Sequence, residues 1–198
     1  FAHGPGVASN PPGWIRMYAD LGEAPVSPEA VRDAVRAGRT VATNVPFLTV
    51  TVDGQGPGAV LDARAGDVLE VRARVRGSGA DEVVLVGPEG EIAAGAAGTV
   101  SAAVTVDGPL WLAAMARGGP HPMDPGRPVF AHTSAVHVEV DGRRVARAAD
   151  ARWCLGLLDR LEALVVAEGR FDPERRDDQL ADHRDVLDRA RAFYRPLT

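Results

Sequence analysis

Between residues 69 and 76, apolar and charged side chains alternate without a break: Leu69, Val71, Ala73 and Val75 stand among Glu70, Arg72, Arg74 and Arg76. A repeat of two puts the apolar groups on one face of an extended chain and the charged groups on the other. A strand with one wet face favours an antiparallel sheet. Further strand segments are Phe47 to Val52, Glu82 to Val86, Val100 to Val106, Leu110 to Ala116 and Val129 to Val140, each bounded by Gly, Pro or Asp. Val-x-Val-Asp-Gly occurs at 50–54, 104–108 and 138–142, where Asp-Gly tolerates the positive φ that ends a strand in a turn. The unequal separations argue for three similar strand ends, not for a repeat architecture. About seven short strands in about 100 residues predict an antiparallel, immunoglobulin-like β-sandwich. The single cysteine, Cys154, excludes the disulfide-bridged antibody version and any intrachain disulfide.

The period changes on both sides of this unit. Ser27-Pro28-Glu29 supplies a cap, a first-turn proline and an early acid, and Ala30, Val31, Ala34 and Val35 follow at helical spacing, predicting a short helix over 28–37 before Gly38. After Arg147, Trp153, Leu157, Leu158, Leu161, Leu164 and Val165 form one apolar stripe that stops before Gly169. A second helix opens at Asp172-Pro173-Glu174, presents Leu180, Leu187, Ala190 and Tyr194, and ends before Pro196. The tail is thus expected to be a helical hairpin packed on the sandwich, with Trp111 in a strand and Trp153 at the head of the stripe both read as core.

Composition narrows the function classes. With 198 residues, 45% hydrophobic and 25% charged, the chain suffices for one or two packed cores. Its net charge of −5, from 27 acids and 22 bases without a long single-sign block, makes nucleic acid an unexpected partner. Every basic residue apart from histidine is arginine, a mark of a GC-rich bacterial coding sequence rather than of a function. No apolar run approaches the roughly 18 residues of a membrane span, no signal segment opens the chain, and the cellular compartment stays open. The first residue is Phe1, so the chain is expected to be a piece whose upstream context is missing.

Chemistry-bearing motifs are scarce. The five histidines, His3, His121, His132, His137 and His183, occupy no metal motif. His132 and His137, five apart on one expected strand, would point to opposite faces and not share an ion. His121 and Asp124 fall in a turn-rich loop, 118–127, where they form a possible ligand loop. His183, on the apolar side of the last helix, reads as a packed, hydrogen-bonded ring. No Gly-x-Ser-x-Gly elbow is present, and Cys154 lies in an apolar stripe rather than an electropositive setting. The glycine-containing turns at 54–58 and 87–90 lack a following Lys-Ser/Thr and read as hairpin connections. Asp177, Asp178 and Asp182 read as a solvated helix face. No catalytic residue and no metal ligand are therefore assigned.

One longer stretch is more specific. Trp14-Ile15-Arg16-Met17-Tyr18, then the short helix, then Ala37-Gly38-Arg39-Thr40-Val41-Ala42-Thr43-Asn44-Val45-Pro46-Phe47-Leu48, and Val52-Asp53-Gly54 with Pro57-Gly58, together resemble the end of the catalytic domain in CehA/McbA-type metallohydrolases of the PHP superfamily. In that family an Ala-Gly-Arg-Thr segment and a Thr-Asn-Gly-Pro turn lead into a β-sandwich; here Val45 replaces the glycine. Phe130-Ala131-His132-Thr133-Ser134-Ala135-Val136-His137-Val138 is similar to the family's Ala-His-Thr-x-Pro-Val-Tyr-Val strand, with Ala135 and His137 at the Pro and Tyr positions. The last helix, Ala190 to Tyr194, is similar too. The motif residues are Arg16, Tyr18, Gly38, Arg39, Thr40, Thr43, Pro46, His132 and Thr133.

The resemblance implies that 1–46 is the tail of an upstream PHP-type catalytic domain, 47–147 a sandwich docked on it, and 148–198 the helical hairpin. It implies a parent enzyme that hydrolyses ester, phosphoester or carbamate bonds of a small-molecule substrate, with divalent metal held upstream and no cofactor in this chain. The alternative is a stand-alone β-sandwich module that binds carbohydrate or protein through loops such as 118–127, with Trp111 and Trp153 as exposed platforms. A small enzyme using His121, Asp124 and His132 is a third reading.

Overall fold

The computed structural model describes residues 13–198, and His3 lies outside them. The chain divides into two compact units, 1–145 and 146–198.

The first unit is a β-sandwich, as the alternation predicts. Its smaller sheet joins β3 (Phe47–Val52), β5 (Val68–Arg76) and β8 (Thr99–Thr105) in that order, all antiparallel. The larger sheet is built around the long strand β9 (Leu110–His121). On one side of β9 run β10 (Asp124–Thr133) and then β11 (Val136–Val140). On the other side lies β6 (Glu82–Gly87), with β7 (Gly90–Ala96) outside it. Beyond β10 come β2 (Thr40–Thr43) and β1 (Arg16–Ala19), and beyond β11 comes β4 (Val60–Ala63). The inward residues of the two sheets meet in one core: Leu48, Val50 and Val71 from the smaller, Leu85, Leu112 and Val138 from the larger, all essentially inaccessible.

Several expectations are corrected. The sheet is not wholly antiparallel, because β4 runs parallel to β11. The segment 129–140 is two strands, broken where Ser134 turns to donate its N–H to Thr40 O. His132 and His137 therefore sit on different strands. The turn at 54–58 does not close a hairpin but carries the chain from the smaller sheet to β4, whereas Gly87 and Gly90 do face each other across a hairpin. Strands β1, β2, β4 and β7 were not predicted; they are short, or rich in Ala and Gly, and carry little alternation.

Two of the three Val-x-Val-Asp-Gly segments make the same turn. Asp53 and Gly54, and likewise Asp141 and Gly142, have positive φ, and Val52 with Gln55, like Val140 with Arg143, exchange both backbone hydrogen bonds. This is the type I′ geometry that Asp-Gly favours. At Val106 the turn differs: its N–H donates to Asp67 O and its carbonyl accepts from Gly66 N–H, fastening the strand to the turn before β5.

Helix α1 (Pro28–Arg36) starts as the sequence predicts, with Ser27 Oγ accepting from Ala30 N–H at 3.1 Å. It ends through Gly38 at φ +70, with Ala37 and Gly38 N–H returning to Asp33 and Val35 carbonyls.

The second unit pairs α2 (Ala148–Glu168) with α3 (Arg176–Tyr194). The last helix begins at Arg176 rather than at Pro173, because Asp172 instead forms a turn, its carboxylate accepting from Glu174 N–H. Trp153 is not core but 63% exposed, whereas Trp111 is half-buried. His183 is half-buried, and its Nε2 is enclosed without a hydrogen-bond partner, contrary to the hydrogen-bonded ring expected.

The helices are tied by Arg191, buried between them, which donates to Asp159, Glu162 and Asp188 at 2.8–3.2 Å. Hydrogen bonds from Arg191 and then Arg184 hold the Glu162 carboxyl below its ordinary value. A depressed folded value stabilises this unit above the ordinary carboxylate range and ceases to do so as pH falls through the folded value. The helical circular dichroism signal is therefore expected to become more sensitive to urea as pH drops below the ordinary glutamate value of about 4.3, and Glu162→Gln should remove part of that acid sensitivity. An unchanged acid profile in the variant would contradict the pairing.

Candidate functional site

The residues that carry the resemblance come from three distant stretches of sequence, and the β1–β2–β10 ribbon brings them together. Arg16 pairs with Thr43, Tyr18 with Val41, and on the other side of β2, His132 pairs with Ala42 and Thr133 with Val41. Most of these side chains serve the backbone. Thr43 Oγ1 donates to Pro46 O and accepts from Val45 N–H, shaping the turn into β3. Thr133 Oγ1, buried, accepts from Ala114 N–H at 3.0 Å. Thr40 Oγ1 meets Ser134 Oγ at 2.7 Å, Arg39 Nε donates to Asp20 O, and Arg16 Nε donates to Gly13 O. The Tyr18 ring stands edge-on to Phe47 at 5.2 Å. His132 is exposed, stacked loosely beside Phe130 at 6.5 Å.

Thr133→Val keeps the volume but removes the acceptor of a buried amide. It is expected to cost about 1–3 kcal/mol, read as a shift in the urea midpoint. A shift indistinguishable from zero would mean that Ala114 N–H has another acceptor.

At the far end of this ribbon lies a cavity of about 260 Å³ lined by Trp14, Arg16, Asn44, Val45, His121 and Met123. His121 is not in a loop: it ends β9, a two-residue turn leads into β10, and the ring is 5% exposed. Its Nδ1 accepts from Met123 N–H at 3.1 Å, so the neutral ring carries its proton on Nε2. Trp14 stacks on it at 4.3 Å. Asp124 pairs with His121 in the β9–β10 register. Asn44 is locked, accepting from Phe130 N–H at 2.8 Å and donating to Pro128 O at 2.9 Å.

No family model, curated protein or solved structure matches this chain.

Among the described residues, no group of three or more His, Cys, Asp or Glu side chains is placed to hold a metal ion. No helix among them is long and apolar enough to cross a membrane. Sequence reasoning singled out His121 but did not join it to Trp14 and Asn44, which lie 107 and 77 positions before it. Both stand in the stretch that carries the resemblance, Trp14 at its head and Asn44 in its Thr-Asn-x-Pro turn, but nothing in the sequence joins either of them to His121.

Proposed function

We propose that this chain is the C-terminal accessory part of a metal-dependent, PHP-type hydrolase of ester, phosphoester or carbamate bonds, and that the ligand-bearing domain lies upstream. One observation carries the reading: in the stretch that resembles the end of the family's catalytic domain, β1 is paired on one side alone among the described residues and leaves Met17 exposed on one face and Tyr18, edge-on to the exposed Phe47, on the other. A strand with one unpaired edge and exposed apolar side chains is a surface that another chain often covers. The upstream domain is the partner whose chain would lead into this segment, and the small-molecule substrate would be bound there. The sandwich then braces the catalytic domain or limits which substrates enter it. With no donor set for a cation among the described residues, no catalytic step is assigned to them.

Purified together with the upstream polypeptide, the chain should form a complex that hydrolyses a 4-nitrophenyl ester or phosphodiester and loses activity with a chelator. Met17→Arg at the exposed strand should weaken that complex while leaving this chain folded. Full activity of the upstream polypeptide without this chain, or unaltered assembly of the variant, would contradict the reading.

The His121 cavity favours a second reading, a stand-alone binding module that takes a small planar ligand or a sugar against Trp14. Under it, sugars or aromatic acids should perturb Trp14 fluorescence, and Trp14→Phe should abolish the change. Fluorescence indifferent to both would remove it.

A further inference from the structure

Two side chains of the His121 cavity hold hydrogen-bond donors with nothing to donate to. His121 is 5% exposed, and its Nδ1 is engaged by Met123 N–H at 3.1 Å. The ring's proton is therefore on Nε2, which has no partner among the described residues. That atom is not sealed off either, since the enclosed, unpartnered side-chain atom among these residues is His183 Nε2. Arg16, at the start of β1, is the second. Its Nε donates to Gly13 O at 2.8 Å, and among the described residues no ion pair or hydrogen bond engages its terminal nitrogens. Asn44 is held by Pro128 O and Phe130 N–H, so it shapes the wall and does not turn toward a ligand. No carboxylate is found in the described lining, and Asp124 stands across from His121 in the β9–β10 register.

This pattern discriminates between ligand classes. A neutral imidazole N–H and a guanidinium donate only. Each sugar hydroxyl donates as well as accepts, so a sugar would bring donors that these side chains cannot match. An ionised carboxylate only accepts, and its two oxygens suit an N–H and a guanidinium, where charge assistance strengthens both bonds. The rest of the described lining is largely apolar, with Trp14, Val45, Pro122 and Met123. Roughly 150 Å³ suffices for a benzene ring, so the volume of about 260 Å³ accommodates one ring together with its carboxylate.

We infer that this cavity binds a single-ring aromatic carboxylate, which accepts from His121 Nε2–H and the Arg16 guanidinium and lays its ring against Trp14, Val45 and Met123. The inference rests on the second of the two readings above, in which the chain acts alone, and commits that reading to one ligand class. The donors select the carboxylate over a neutral amide or a sugar. The apolar wall selects a ring over acetate or inorganic phosphate.

The test titrates benzoate into the whole, isotope-labelled chain and follows the Trp14 indole N–H by nuclear magnetic resonance, the signal being identified by its absence in Trp14→Phe. Benzamide, acetate, inorganic phosphate and methyl glucoside are the comparators. Benzoate is expected to bind at least about ten-fold more tightly than each of them. Arg16→Gln, at an exposed position, should weaken benzoate at least about ten-fold with circular dichroism unchanged. His121→Asn should do the same, because an amide oxygen still accepts from Met123 N–H while the Nε2 donor is gone; if that chain does not fold, R16Q decides. Asp124→Asn should not weaken binding. A comparator as tight as benzoate, unaltered binding in R16Q, or weaker binding in D124N would overturn the carboxylate assignment and leave the cavity standing as a ligand site. Saturable binding of none of these probes would remove the assignment and the second reading together.

Discussion

Gly58→Ala is expected to destabilise the sandwich by about 3 kcal/mol or more, the largest single-residue effect anticipated here. Two causes add. Gly58 has φ +83, in the left-handed region that side chains rarely adopt, and a Cβ there would collide with the carbonyl oxygen of Ala37 and the backbone of Gly38. Those atoms belong to the end of α1 and cannot move aside as a flexible side chain would. Gly58 also donates its N–H to Ala135 O at 2.8 Å, so the residue ties the turn before β4 both to α1 and to the break between β10 and β11. Gly56→Ala is the control: its Cβ would meet nothing within 4 Å, and its effect should be within about 0.5 kcal/mol of zero. Urea denaturation of the three chains decides the matter. Equal midpoints for both variants would show that the approach of Gly58 to α1 is not needed.

Asn44→Ala is expected to cost about 2–4 kcal/mol. Asn44 is buried, and its amide satisfies both Phe130 N–H and Pro128 O, while its own N–H reaches Phe130 O. Alanine retains only the backbone bond and leaves one donor and one acceptor, both in a part-buried setting, without their side-chain partner. Because Asn44 also lines the His121 cavity, hydrogen exchange at Phe130 should accelerate with the loss of stability. A variant as stable as the parent, with Phe130 still protected, would mean that water replaces the side chain.

How much of this was legible follows from what each signal depends on. The strict alternation of β5 is a local pattern with one buried face, and the structure has it residue for residue. The Ser27-Pro28 start of α1 and its glycine stop are likewise local, and the helix falls within one residue of its expected end. The break at Ser134 was hidden because β-branched and small residues continue through it, and what turns the chain is a contact with Thr40, 94 positions earlier. The exposure of Trp153 was hidden for a related reason: an apolar stripe states which face wants cover, not what covers it.

The motif residues are similarly divided. Gly38, read as part of a family signature, has a local reason in the positive φ that ends α1, and a distant one in the approach of Gly58 to within 3.5 Å of where its Cβ would be. Thr43, Thr133 and Asn44 each hold a backbone group of another strand, a role that only the pairing of β2 with β10 and of β10 with β9 reveals. The His121 cavity was the least legible feature, because it joins three segments that no periodicity relates.

The most direct test is to equilibrate the purified chain with Zn²⁺ or Mn²⁺, separate it from free ion and count metal by plasma mass spectrometry, beside the same chain joined to the upstream domain proposed for it. Expected is no stoichiometric metal on the chain alone and stoichiometric metal on the joined protein. An ion held tightly by the chain alone, and released when its own histidines are replaced, would contradict the assignment of the catalytic centre to the upstream domain.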